Sequence, residues 1–246
     1  MTGEGWTQAV RRQLGLGRVL PLGGTGDGTW VTEAAADGAL RHAAQRVTGV
    51  LLGTVRVAPA DPEHADVAAV PAPPSALPPG PLRITAEFAA ATGAPLPEAA
   101  DRLRGALSDA AERLGLVVDE VDLRVTGLLD GGDGGGGEPP AERRVPAPAP
   151  APEGDGEEAR AARAALAVPG VARLTGALGR AVHIERPPAA DTLPRGHVRV
   201  ELATDRGHRA LDVALAVRAA VGDALTDHPS VAVLVTGVGL EPAGRG

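Results

Sequence analysis

The chain has 246 residues, a formal charge of −7 and no cysteine, and its 24 Lys-plus-Arg positions are all arginine. These figures exclude disulfides, thiolate nucleophiles and Cys-ligated metals, and the acidic balance disfavours a general nucleic-acid binder. Aromatics amount to 1% (Trp6, Trp30 and Phe88), so any core must be built from Ala, Val and Leu, which bury little area per residue.

The N-terminal stretch opens with Trp6, Val10 and Leu14 at helical spacing, with Arg11 and Arg12 on the other side and Gly15 and Gly17 as stops. A short amphipathic helix with a tryptophan can dock into a groove, so Trp6, Val10, Arg11, Arg12 and Leu14 are the candidate partner-binding residues. The competing readings are an extra helix packed on the body of the protein, or contact with an anionic membrane surface. Residues 21–29 (PLGGTGDGT) are turn-forming. Gly23 to Gly28 could cradle a phosphate, but the Lys-Ser/Thr of a Walker loop is missing and a plain turn is the better reading.

A helix is predicted over 32–47 with Thr32 as N-cap, then a strand over 51–57. The Pro- and Ala-rich residues 58–81 read as a long exposed hairpin loop. Residues 82–88 alternate cleanly, Leu82, Ile84, Ala86 and Phe88 facing one way and Arg83, Thr85 and Glu87 the other, as a half-buried strand does. Pro95 and Pro97 open the next helix, whose buried stripe is Ala99, Leu103, Leu107, Ala110 and Leu114, and Gly115 is its C′ residue. Val121, Leu123 and Val125 mark a third strand within 116–127.

Residues 129–157 contain GGDGGGG and then PAPAPAP, a linker that starts flexible and ends as a stiff polyproline spacer. Beyond it come a short helix (158–168), strands over 180–185 and 197–203, a long helix over 210–226 and a last strand over 230–236. Residues 82–113 lie without a gap on 196–227. Glu87 meets Glu201, Gly93 meets Gly207, Arg104 meets Arg218 and Asp109 meets Asp223, while Phe88 matches Leu202 and Leu107 matches Val221. Matching period and phase across strand, turn and helix point to one supersecondary unit used twice.

The expected fold is therefore α+β: two tandem α-β-β-α-β modules, each a small three-stranded sheet with two helices packed on one face. The expected division is 1–28 (amphipathic segment and turn), 29–128 (first module), 129–157 (linker), 158–238 (second module) and 239–246 (tail). Modules on such a tether are expected to fold separately and to engage two partner sites bivalently, unless they dock.

The order helix, Val-x-Gly-Val, strand, strand, Gly-Ala-Pro-Leu-Pro-Glu, long helix, Gly-Leu-x-Val and strand resembles the alkaline shock protein family of bacterial envelope stress response proteins. The residues that carry it are Val47 to Val50, Gly93 to Ala99 and Gly115 to Gly127, and in the second half Val168 to Val171 and Ser230 to Gly237. The resemblance implies small cytoplasmic proteins without catalytic chemistry, some held at the membrane by a membrane-anchored partner, where they assemble. It departs from the family in its two copies, its enlarged 58–81 loop, and its second turn, which reads Gly207-His208-Arg209-Ala210-Leu211-Asp212.

The expected function is thus a non-enzymatic cytoplasmic scaffold or adaptor that binds protein partners, such as a membrane-anchored stress protein or a single-module relative. No cofactor, metal, nucleic acid or direct membrane insertion is implied: no apolar run approaches the ~20 residues of a span, and the N-terminus lacks a signal-peptide pattern. Composition reads as that of a high-GC bacterial genome. Two alternatives come from other classes. One is small-molecule binding or catalysis on the second module's histidine-bearing strands, with His183, His197, Glu201 and Asp212. The other is nucleic-acid binding by alternating arginines on a sheet face. Glu87 and Glu201 are expected on the solvent face, or paired with Arg83 and Arg199. The six histidines include no i, i+4 pair of the kind a zinc helix uses.

Overall fold

The computed structural model describes residues 17–64, 66–93, 95–129, 147–186 and 196–241, so Trp6, Val10, Arg11, Arg12 and Leu14 lie outside the described residues. The fold is mixed α+β, with two sheets and, among the described residues, four helices. The first half runs β1 (Val19–Leu22), β2 (Thr29–Thr32), α1 (Glu33–Ala44), β3 (Val50–Pro59), β4 (Leu82–Ala91), α2 (Leu96–Leu114) and β5 (Val118–Leu129). The second runs α3 (Glu157–Ala167), β6 (Val171–Leu174), β7 (Val182–Glu185), β8 (His197–Asp205), α4 (Ala210–Ala224) and β9 (Ser230–Leu240).

Local signals place most of these elements. Thr32 Oγ1 accepts the Ala35 N–H at 3.3 Å and so caps α1. Gly115 closes α2 in the left-handed region (φ 94°), its N–H and that of Leu116 returning to the Ala111 carbonyl. The α2 stripe Ala99, Leu103, Leu107, Ala110 and Leu114 is buried, as are Leu82, Ile84, Ala86 and Phe88 of β4. Each fully buried Leu there is worth about 2 kcal/mol of transfer free energy.

The first sheet has the expected three strands, β3-β4-β5, with β3 antiparallel and β5 parallel to β4. The second sheet departs from expectation: it has six strands, in the order β1-β2-β9-β8-β6, with β7 also paired to β8. Three strands are additional: β6, which follows the short helix, and the pair β1–β2, which comes from around the segment read as a turn. The hairpin β1–β2 joins through a parallel pairing of Trp30 with Leu234 and Val31 with Val235. Because β8 and β9 are now interior strands covered on both faces, their burial is nearly continuous, where β4 alternates.

The two β-α-β units, β4-α2-β5 and β8-α4-β9, share a detailed irregularity. In each the parallel pairing slips by one residue at a Thr-Gly step: Phe88 pairs with Val125 and Ala89 with Gly127, as Leu202 pairs with Val235 and Ala203 with Gly237. The skipped Thr126 and Thr236 donate their hydroxyls to the Phe88 and Leu202 carbonyls, at 3.3 and 3.2 Å.

The halves dock, the alternative left open to tethered, independent modules. One apolar core runs through both, including Leu40, Phe88, Leu107, Ala161, Val217 and Val235. Helix α1 touches both β3 and β9, and α2 touches α4. Arg218 Nη1 donates to Gly26 O of the first half at 2.9 Å, and within that half the Gly23 N–H donates to Gly115 O at 2.8 Å, tying the β1–β2 hairpin to the end of α2.

The 58–81 loop is also corrected. Its tip at 61–64 is exposed, but Val70, Pro73 and Pro79 are buried. Val19 N–H and Leu77 N–H exchange bonds with the Ser75 and Val19 carbonyls, laying the loop over the outer face of the second sheet. There Val19, Trp30, Val70, Ala232 and Leu234 form a second apolar cluster. Val70→Asp places a carboxylate in that cluster and is expected to cost about 3 kcal/mol. In a Trp6→Phe background it should also shift Trp30 emission to the red, and an unchanged spectrum would mean that the loop is not the cover.

Candidate functional site: the cleft between the halves

A concavity of about 1020 Å³ opens where the halves meet. One wall is α1 and the residues just after it, contributing Ala34, Gly38, Arg41, His42 and Arg46. The opposite wall is the turn after β8, Asp205 to Arg209, together with the end of β9 at Val238 to Leu240. The C-terminal end of α2, at Glu112 and Arg113, closes one side. The cleft thus lies at the carboxyl ends of two adjacent parallel strands, where α/β architectures commonly bind ligands.

Backbone groups hold the turn's side chains. Asp205 Oδ1 accepts from the Gly207 N–H at 2.9 Å and lies 2.9 Å from His208 Nδ1; the histidine bond, first, holds the Asp205 carboxyl below its usual range. Arg206 Nε donates to Gly239 O within the second half, and Arg209 Nε donates to Glu112 O across the junction of the halves, both at 2.8 Å. On the opposite wall Arg41 is tied to Asp37 and to Gly53 O, at 2.8 and 2.9 Å. Arg46 lies 3.2 Å from His42 Nε2, another basic group.

The hydroxyls that line the cleft are already used. Thr32 caps α1, and Thr236 donates to Leu202 O and sits 2.7 Å from Thr175 Oγ1. The Asp205–His208 pair therefore has no free cleft hydroxyl to activate among the described residues. The arrangement is chemically able to bind anionic groups through arginines held in place by backbone carbonyls.

The histidine-bearing strands sit elsewhere. His183 pairs across the ladder with Arg199, and Glu185 with His197. His183 Nε2 lies 3.2 Å from Glu185 Oε1, and His197 Nδ1 lies 2.8 Å from Ser230 Oγ. Desolvation, the largest influence, lowers the His197 pKa. Asp212 is on α4, engaged with Arg209 at 3.2 Å, and is not brought to these strands' face. No group of three or more His, Cys, Asp or Glu among the described residues is disposed to hold a metal.

Glu201 overturns the solvent-facing branch of its expectation and meets the other, standing beside Arg199. It is fully buried, beneath the 175–181 turn that separates β6 from β7. The Leu178 N–H donates to Oε2 at 2.9 Å, and Arg199 Nε lies 3.5 Å from Oε1. Burial, outweighing the Leu178 bond and the Arg199 charge, pushes the Glu201 carboxyl up to about 7. Its counterpart Glu87 is half-buried on the open face of the first sheet. On that face Arg83 is paired with Glu120 at 2.7 Å, and the carboxylates interleaved with its arginines leave no basic stripe.

The Gly23 to Gly28 segment is a turn. Gly23 donates to Gly115 O, Gly24 donates to Asp27 Oδ2 at 2.7 Å, and a strand, not a helix, follows. Sequence reading did not assemble the cleft. The signal was there in Arg206-Gly207-His208-Arg209, a basic run in an acidic chain at the place where the second turn departs from the first. No family model, curated protein or solved structure matches the chain.

Proposed function

We propose that the protein is a non-enzymatic scaffold that binds protein partners in the cleft between two halves descended from one α-β-β-α-β unit. The observation that carries this is the cleft itself: a concavity of about 1020 Å³ walled by both halves and rimmed by backbone-anchored arginines. The shared slip at Thr126-Gly127 and Thr236-Gly237 supports common descent of the halves, since a bulge with the same side-chain bond is a specific feature to acquire twice. The resemblance to envelope stress proteins supports a cytoplasmic role beside a membrane-anchored partner. No helix among the described residues is long and apolar enough to cross a membrane. Docking of the halves replaces bivalent tethering with one composite site.

Gly38 provides the test. It lies in α1 on the cleft wall, and a Cβ added there would meet nothing within 4 Å, so Gly38→Trp fills the cleft without crowding the fold. Cross-linking in the native cell should capture a defined protein with the wild type and lose it with Gly38→Trp, while the melting temperature stays level. Capture that survives Gly38→Trp but disappears on deleting residues 1–16 would assign binding to Trp6 and its neighbours and refute the cleft.

A further inference from the structure

We infer that the cleft takes an acidic segment of a protein partner, held by Arg46, Arg113 and Arg206; this rests on the scaffold reading and names the chemistry of what is held. Five arginines and three carboxylates line the cleft, leaving two positive charges in excess within a chain of net −7. Two of those carboxylates are committed within the protein, Asp37 to Arg41 and Asp205 to His208 and the Gly207 N–H.

Among the described residues the three cations have no carboxylate partner. Arg113 carries no hydrogen bond or ion pair among the described residues, and the side-chain contact of Arg46 is to His42. Arg206 spends Nε on Gly239 O, which orients the guanidinium while both terminal amino groups have no partner among the described residues. An arginine anchored through Nε loses little further freedom when it grips a carboxylate with its other donors.

The shape favours a peptide over a nucleotide or another small anion. The cleft is open, larger than most small-molecule pockets, and its α1 wall is built of alanines between the charges. Among the described residues no tryptophan or phenylalanine lines it: Trp30 and Phe88 are buried in the two cores. A trough with a smooth wall and spaced guanidiniums suits an extended chain that places carboxylates at intervals.

The test is fluorescence anisotropy of a short labelled Glu/Ala peptide with the full chain. Saturable binding is expected, weakening as salt is raised, and falling about tenfold or more in Arg113→Glu and again in Arg113→Glu/Arg206→Glu. Arg113→Glu alone removes no described contact, so its loss of binding cannot be ascribed to misfolding, and Gly38→Trp should also abolish binding. Peptide binding indifferent to Arg113→Glu would overturn the proposal. A neutral Ser/Ala peptide binding equally well would overturn the acidic preference and leave the scaffold reading standing. Inorganic tripolyphosphate binding in place of the peptide would overturn both.

Discussion

Glu201→Gln is expected to stabilise the protein by about 3 kcal/mol at pH 8 and by almost nothing at pH 4, given a carboxyl raised from 4.5 to about 7. The folded state holds a proton on Glu201 that the unfolded chain releases between those values, so the wild type loses stability as pH climbs from 4.5 towards 7. Below 4.5 both states are protonated and the penalty is absent. Glutamine mimics the neutral acid: its carbonyl can accept the Leu178 N–H that now reaches Oε2. For a chain of this size the gain at pH 8 corresponds to roughly 6–10 °C in melting temperature. A variant less stable than wild type at both pH values would mean that the attraction to Arg199, 3.5 Å away, outweighs burial.

Gly115→Ala is expected to cost about 3 kcal/mol or more, combining left-handed strain with overpacking. The glycine sits at φ 94°, and an added Cβ would lie 2.3 Å from Leu211 Cβ on α4. Since the clash is Cβ to Cβ, Leu211→Ala should not rescue it. The carbonyl of this residue accepts from Gly23 in the first half and its clash is with a helix of the second, so the damage reaches both halves. Calorimetry should show one transition in the wild type and one, at lower temperature, in the variant. Two separate transitions, only one of them shifted, would mean that the halves are energetically independent despite their common core.

What the sequence disclosed was local. The α2 stripe, the alternation of β4, the Thr32 cap and the Gly115 stop each depend on neighbours within a few positions, and the structure has them all. What it concealed depends on distant partners. Glu87 and Glu201 hold the same place in matching strands, yet one is half-open and the other sealed, because among the described residues the second sheet alone has a turn and a long loop laid across its outer face. A hint was present: Val231 to Val235 is unbroken apolar, the mark of a strand covered on both sides, whereas Val121 to Val125 alternates. The cleft was least legible, since its walls are the ends of a helix, a turn and a strand that meet only after the halves have packed.

The parallel pairing of β2 with β9 has a consequence for synthesis. A ribosome releases Trp30 long before Leu234 exists, so through most of translation β2 has an unoccupied hydrogen-bonding edge. Closure waits for the final strand, and contacts of such wide sequence separation form slowly. Nascent chains must be shielded in that interval, and a message truncated before β9 would yield a product with a bare, apolar strand edge prone to aggregation and proteolysis.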